Sequence, residues 1–294
     1  MSNTIQPGIL ADIPLLARHL TFHLHDSAAV SHCLRELSAM VDGDNLVIGI
    51  GPSTVKALDA RIDGLRVFPA LSANGVDIPS TQDALWCFLR GADRGELFHN
   101  SRILESLLKP AFTLANSIDC FQFDHNRDLT GYEDGTENPE GDDAIAAAVV
   151  SNRGPGLDGS SFVAVQQWLH DFERFDAMDG DEQDNVFGRR AADNEEFDEA
   201  PESAHVKRTA QEDFEPEAFM LRRSMPWADA MRGGLVFIAF GHSLDAYETV
   251  MSHMIGNDDG ITDGLFSFTR PLTGGYYWCP PMREDRPDLS ALGL

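Results

Sequence analysis

Apolar residues along this chain switch repeatedly between a period of two and a helical period of three to four, and the switches mark out the elements. Residues 18–25 alternate as a strand does, and Asp26 stands where it can cap a helix running to about Val41. Residues 45–50 and 84–89 are short apolar runs of strand type. Residues 96–112 carry apolar positions at helical spacing, and residues 118–123 alternate again. The order is β-α-β-β-α-β, and the second half repeats it. Residues 161–169 read as a strand, Asp171 opens a short helix, and residues 218–222 and 235–240 read as strands. Residues 244–255 form a helix with Leu244, Tyr247, Val250, Met251 and Met254 on one side, and residues 264–269 are expected to close the set. Two such units predict an α+β protein of duplicated ferredoxin-like halves with antiparallel sheets. The polar, Gly-rich stretch 152–159 places the boundary, giving an N-terminal half of residues 1–152 and a C-terminal half of residues 153–294. The acid-rich segment 179–202 reads as a solvated excursion.

Composition narrows the partners. Of 294 residues, 43% are hydrophobic, enough for a sizeable core, and the formal net charge is −26. So acidic a surface argues against nucleic acid and against anionic membranes, and favours neutral or cationic molecules. Cys33, Cys87, Cys120 and Cys279 are far apart, so zinc ribbons, thioredoxin-like chemistry and covalent haem attachment find no support. Cys87 and Cys120 sit in apolar runs and read as core. Residues 1–20 lack the basic and apolar regions of a secretory signal, and no apolar run is long enough to span a bilayer, so a cytoplasmic protein is expected.

Candidate chemistry concentrates in Gly131-Tyr132-Glu133-Asp134-Gly135-Thr136-Glu137-Asn138-Pro139. Glycines around an acid let backbone and carboxylate approach a flat ligand, and Pro139 stiffens the exit. The run resembles the G-x-x-D-G signature, with its Thr-x-Asn-Pro extension, of the dye-decolourising haem peroxidases. Ser203-Ala204-His205-Val206-Lys207-Arg208 is similar to the segment bearing that family's proximal haem ligand. Met220-Leu221-Arg222-Arg223-Ser224-Met225-Pro226-Trp227 is similar to its distal arginine strand, and Asn185-Val186-Phe187-Gly188-Arg189 to the stretch whose Arg meets a haem propionate. Leu244-Asp245-Ala246-Tyr247-Glu248 and the block from Asp259 to Tyr277 agree as well. The likeness runs over nearly the whole chain and is nearest to the short bacterial, cytoplasmic group.

That resemblance implies a peroxidase holding haem b. It implies His205 as iron ligand, with Asp263 as the acceptor of its other ring nitrogen or, alternatively, as a turn cap. Asp134 and Arg222 become the distal pair that moves the peroxide proton and stabilises the departing oxygen. Arg223, the adjacent strand residue, must then face away. Gly135, Thr136, Glu137, Asn138 and Arg189 are implied as cofactor contacts. Ser224 stands where the family often has Asn, behind the distal pair. The implied partners are hydrogen peroxide and a small-molecule reductant, with a homo-oligomer, dimer or higher, as the assembly. Trp168, Trp227, Trp278, Tyr276 and Tyr277 are read as packing before electron relays.

The remaining histidines read as ordinary: His23 and His25 share a strand face without a third ligand, and His170, His242 and His253 look like surface or helix-end residues. Gly49-Ile50-Gly51 with Thr54 fails the dinucleotide fingerprint, and no Asp-Gly pair falls in EF-hand register. The rival reading is a haem carrier or iron-releasing, deferrochelatase-like protein, which needs His205 but not Asp134 and Arg222. Leu289, Leu292 and Leu294 end the chain. They read as a frayed terminus, or, by resemblance, as a tail docking into an encapsulin shell.

Overall fold

The computed structural model describes residues 4–294; Met1, Ser2 and Asn3, the start of the segment searched for a leader, lie outside the described residues. Among the described residues no helix is long and apolar enough to cross a membrane. The protein is α+β, built on antiparallel pairing. In the first half, β1 (Leu16–Leu24), β2 (Leu46–Ile50), β3 (Leu85–Gly91) and β4 (Phe112–Phe121) line up in the order β4-β1-β3-β2. In the second, β5 (Ser161–His170), β6 (Met225–Asp229), β7 (Arg232–Gly241) and β8 (Gly275–Cys279) line up as β8-β5-β7-β6. The two sheets meet edge to edge, β8 on β2 at Trp278 and Ile50, and β4 on β6 at Cys120 and Trp227. Because β5 also pairs with β7, the eight strands form a closed ring. Closure removes sheet edges.

Inward residues fill the barrel: Val47, Trp86, Phe88, Cys120, Val163, Met225, Trp227, Ile238, Phe240 and Tyr277 form one buried cluster. Helices cover the outer faces. Asp26 accepts from Ala28 N at 2.9 Å and opens the turn into α1 (Val30–Ser38), and Asp93 caps α2 (Arg94–Leu108) through Glu96 N at 2.9 Å. Further helices are α3 (Gly141–Ala148), α4 (Gly180–Phe187), α5 (His205–Arg208) and α6 (Asp245–Met254). Tyr247, Val250, Met251 and Met254 of α6 are buried, as their spacing predicts. All four cysteines are buried and unbonded.

Several expectations need correction. Only Leu221–Arg222 of residues 218–222 is strand, and the fuller strand is β6, which contains Pro226. It tolerates proline because its outer side pairs only through Trp227. Residues 264–269 are not the closing strand: Gly264–Ser267 is a 3-10 turn, and β8 closes the set. Tyr276, Tyr277 and Trp278 are all buried, so β8 shows no alternation to read. The acidic excursion contains α4, which starts with a capping box between Asp179 and Glu182. The chain end is not frayed. Leu289 and Leu292 are buried in the chain's own core and Leu294 packs against it.

Candidate active site

A cavity of about 990 Å³, part of it open to solvent, lies between the outer face of the C-terminal sheet and α6. Strand alternation supplies its walls: Trp168 and His170 come from β5, and Leu235 and Phe237 from β7. Met251 and Met254 of α6, with Leu265 and Phe268, complete an apolar lining. Into it point His205, Asp134 and Arg222. A more polar compartment continues outward along Gly135, Thr136, Glu137, Arg189 and Glu196. A third, of about 660 Å³, lies on the other side of Asp134 and Arg222 and is lined by Asp12, Gln122, Asn126, Asn138 and Ser224.

His205 is the first residue of α5, and its Nδ1 donates to Asp263 Oδ2 at 2.8 Å. Asp263 is fully buried, and its other oxygen accepts from Leu265 N at 2.8 Å, capping the 3-10 turn. The two roles that the sequence left open for Asp263 are therefore filled together, one by each carboxylate oxygen. Thr209 Oγ1 donates to His205 O at 2.8 Å and steadies the short helix.

The Gly131–Pro139 loop is held at both ends. Tyr132 stacks on Phe187 of α4 with ring centroids 3.8 Å apart, and its hydroxyl meets Asp184 at 2.5 Å. At the other end, Asn138 donates to Arg222 O at 3.0 Å and accepts from Arg222 N at 2.8 Å. Gly135 sits between them at φ +81°, and a Cβ there would stand 2.8 Å from Asn138 Nδ2. Asp134 is thereby set beside Arg222. Burial dominates and pushes the Asp134 carboxyl above its ordinary value; Arg222 and His205 oppose it, and Asp128 adds to it. Buried Arg222 Nε has no hydrogen-bond partner among the described residues. Arg223 turns away, donating to Ala11 O at 2.8 Å and Leu10 O at 2.9 Å.

The other predicted contacts differ in detail. Asn138 spends its carboxamide on the backbone of Arg222, and it lines the third compartment instead of the apolar cavity. Ser224 is buried and accepts from Ile238 N at 3.3 Å. Arg189 reaches Glu137 at 2.7 Å and Glu196 at 3.0 Å, and Thr136 accepts from Asn194 at 3.0 Å. His170, read as a surface residue, is buried in the cavity wall. Its Nε2 lies 3.0 Å from Asp128 Oδ2 and its Nδ1 2.7 Å from Thr269 Oγ1. Burial works to raise Asp128, but His170 and Thr130 outweigh it and hold the carboxyl below its ordinary value. Nothing in the spacing of Asp128 and His170 announces this pair. The five aromatic relay candidates are all buried in packing positions, and of them only Trp168 lines this cavity.

Residues 125–284 match the family model described as Dyp-type peroxidase, C-terminal. The chain is 30% identical over 281 residues to a dye-decolorizing peroxidase of Rhodococcus erythropolis, covering 90% of this chain and 82% of the relative. It superposes on the encapsulated DyP-type peroxidase from Mycobacterium smegmatis with a TM-score of 0.81 at 25% identity, covering 99% and 98% of the two chains. A variant of DypB from Rhodococcus jostii RHA1, solved in complex with haem, gives a TM-score of 0.80 at 25% identity over 92% and 94%. Matched over more than half its length by the family model and along nearly all of it by these relatives, the chain belongs to the DyP-type peroxidase family.

Proposed function

We propose that this DyP-type peroxidase uses haem b to reduce hydrogen peroxide at the expense of a small organic reductant, in one-electron steps. His205 would ligate the group, and Asp134 and Arg222 would act on peroxide. The observation that carries this reading is the convergence of His205, Asp134 and Arg222, from three separate segments, on one apolar cavity. The cavity suits a haem in three respects. Its walls are apolar and largely aromatic, from Trp168, Phe187, Leu235, Phe237, Met251 and Phe268. Of its two imidazoles, His170 has both nitrogens engaged, whereas His205 commits only Nδ1, to a buried carboxylate, the arrangement that raises the basicity of Nε2 as a metal ligand. Its Arg222 keeps a buried, unused Nε–H.

When bound, haem supplies a redox-active iron for peroxide chemistry and single-electron transfer. The chain's own residues do the rest. Asp134 takes the proton from one peroxide oxygen and returns it to the other. Arg222, always charged, stabilises the anion that this transfer creates. Asp263 holds the His205 tautomer, Asn138 fixes the strand that carries Arg222, and the aromatic walls exclude water. Gly135, Thr136, Glu137 and Arg189 would meet the polar edge of the cofactor, with Arg189 giving up part of its pairing to Glu137 and Glu196. We also infer that the two halves are duplicated ferredoxin-like units divided near residue 152; their matching strand orders support this.

A haem carrier or iron-releasing protein needs His205 and the apolar walls but has no use for Asp134 beside Arg222, so the peroxidase reading is preferred. A homo-oligomer in the cytoplasm belongs to the same proposal. The likeness to an encapsulated relative supports a shell as partner. A contact through Leu289 and Leu292 requires those residues to leave the core. The test is the absorption spectrum of the purified protein before and after peroxide, with steady-state turnover of a phenolic reductant. A histidine-ligated haem that responds to peroxide and turns over supports the proposal. Haem that binds without turnover supports the carrier reading.

A further inference from the structure

The barrel holds a second cavity that the peroxidase chemistry does not use. It encloses about 1130 Å³, part of it open to solvent, at one end of the strand ring. It shares no lining residue with the haem cavity, because the C-terminal sheet separates them: Trp168 and Phe237 face one side, Val165, Gln167 and Val236 the other. At its wall stands His19, an inward residue of β1 that is 2% exposed. The imidazole is stacked over Phe88 with centroids 4.7 Å apart and lies nearly parallel to Trp86 at 5.9 Å. Neither His19 Nδ1 nor Nε2 has a hydrogen-bond partner among the described residues, and neither does Trp86 Nε1. Leaving buried polar atoms unpaired is costly, and a phenylalanine would stack here equally well. The nitrogens are therefore available to something that enters the cavity.

We propose that this end of the barrel is a second ligand site, for a neutral, hydroxyl-bearing aromatic molecule of the phenol type, anchored by His19. Barrel mouths are a recurrent place for small-molecule sites. Burial lowers His19 to a pKa of about 3, so near neutral pH the ring offers one donor and one acceptor, and a hydroxyl can meet either. Charge selects against ions. Neither Lys nor Arg lines the cavity to hold an anion, and its one carboxylate, Asp83, which repels anions, lies with Oδ1 2.6 Å from His23 Nδ1 without hydrogen-bond geometry. Ile118, Val165, Val236 and Tyr277 give an apolar bed for a ring, and Asn116 and Gln167 stand nearer the opening with side-chain amides.

The test is calorimetric titration of 4-methylphenol into the haem-loaded enzyme without peroxide, with the haem Soret band recorded in parallel. The expected result is saturable binding of one molecule per chain with an unchanged Soret band. His19→Phe keeps the aromatic stack and removes only the nitrogens; it should weaken binding about threefold to tenfold, as the loss of one neutral hydrogen bond does. Val165→Trp fills the cavity from the opposite wall and should abolish binding without touching His19. Absence of saturable binding, equal affinity in His19→Phe, or binding that shifts the Soret band and survives Val165→Trp would each overturn the proposal. Because the readout is binding, a failure here leaves the peroxidase reading intact.

Discussion

Asn138 holds Arg222 by its backbone. One carboxamide both accepts from Arg222 N at 2.8 Å and donates to Arg222 O at 3.0 Å, as a neighbouring strand would. On the other side, Arg223 N bonds Ile238 O of β7 at 2.9 Å. The loop that delivers Asp134 and the strand that delivers Arg222 are thus fastened together next to the two side chains proposed to act on peroxide.

Asn138→Ala removes both bonds. Two neutral hydrogen bonds are worth about 1–3 kcal/mol of stability. A misplacement of about 1 Å in a reacting group can cost on the order of 10² in rate. The expected outcome is slow reaction with peroxide in a protein that still loads haem fully, measured by stopped-flow absorbance. An unchanged rate would show that Arg222 needs no such clamp.

Arg222→Leu should slow the peroxide reaction by roughly 10²–10³, the usual cost of losing a fixed oxyanion donor. Asp134→Asn should slow it by roughly 10²–10⁴. Arg222 should matter at least as much, because water can replace a proton shuttle in part but cannot replace a guanidinium charge. Unchanged rates in both variants, with haem bound, would falsify the distal assignment.

Acid should inactivate through Asp134. Its folded carboxyl lies above the ordinary value because burial outweighs Arg222, so the base form is lost at a higher pH than for an exposed aspartate. The acid limb of the pH–rate profile for peroxide should therefore lie above the usual carboxylate range. Asp134→Asn should lose that limb. A limb at the ordinary position would mean that Arg222 wins in the loaded enzyme.

Asp263→Asn leaves the turn capped but deprives His205 of its charged acceptor. Changes of this kind typically cost 10–100-fold in metal affinity or activity. Haem content should fall and the histidine-ligated spectrum should shift, whereas His205→Ala should lose most of the haem. Equal haem content and spectra in Asp263→Asn and the parent would leave Asp263 with the cap alone.

His19 should make folding sensitive to acid. Its pKa is 6.5 in an unfolded chain and about 3 when buried, so between those values the unfolded state binds the extra proton. Stability is full above about 6.5 and falls as pH drops, by up to about 1.4 kcal/mol per pH unit. His19→Phe removes this dependence. Urea midpoints of parent and variant should diverge as pH is lowered from 7 to 5, and parallel curves would show that the ring is hydrated in solution.

The sequence by itself determined most of the elements and the family. The periodicity located six of the eight barrel strands at least in part, and the main helices, because half-buried strands and amphipathic helices must alternate. The Asp134 loop, His205 and Arg222 were legible because their local motifs are short and chemically distinctive. What only the tertiary structure decided depends on residues far apart. Strand β8 was hidden because both its faces are buried, and β6 because Pro226 sits on its weakly paired side. The closure of two sheets into one barrel, the Asp128–His170 pair 42 residues apart, and the 84 residues between Asn138 and Arg222 leave no periodic trace. The final leucines read as a frayed end or a docking tail, and packing alone placed Leu289 and Leu292 in the core. Even the direction of the Asp134 shift, open while burial and Arg222 merely opposed each other, was settled by how deeply the fold buries that one carboxyl.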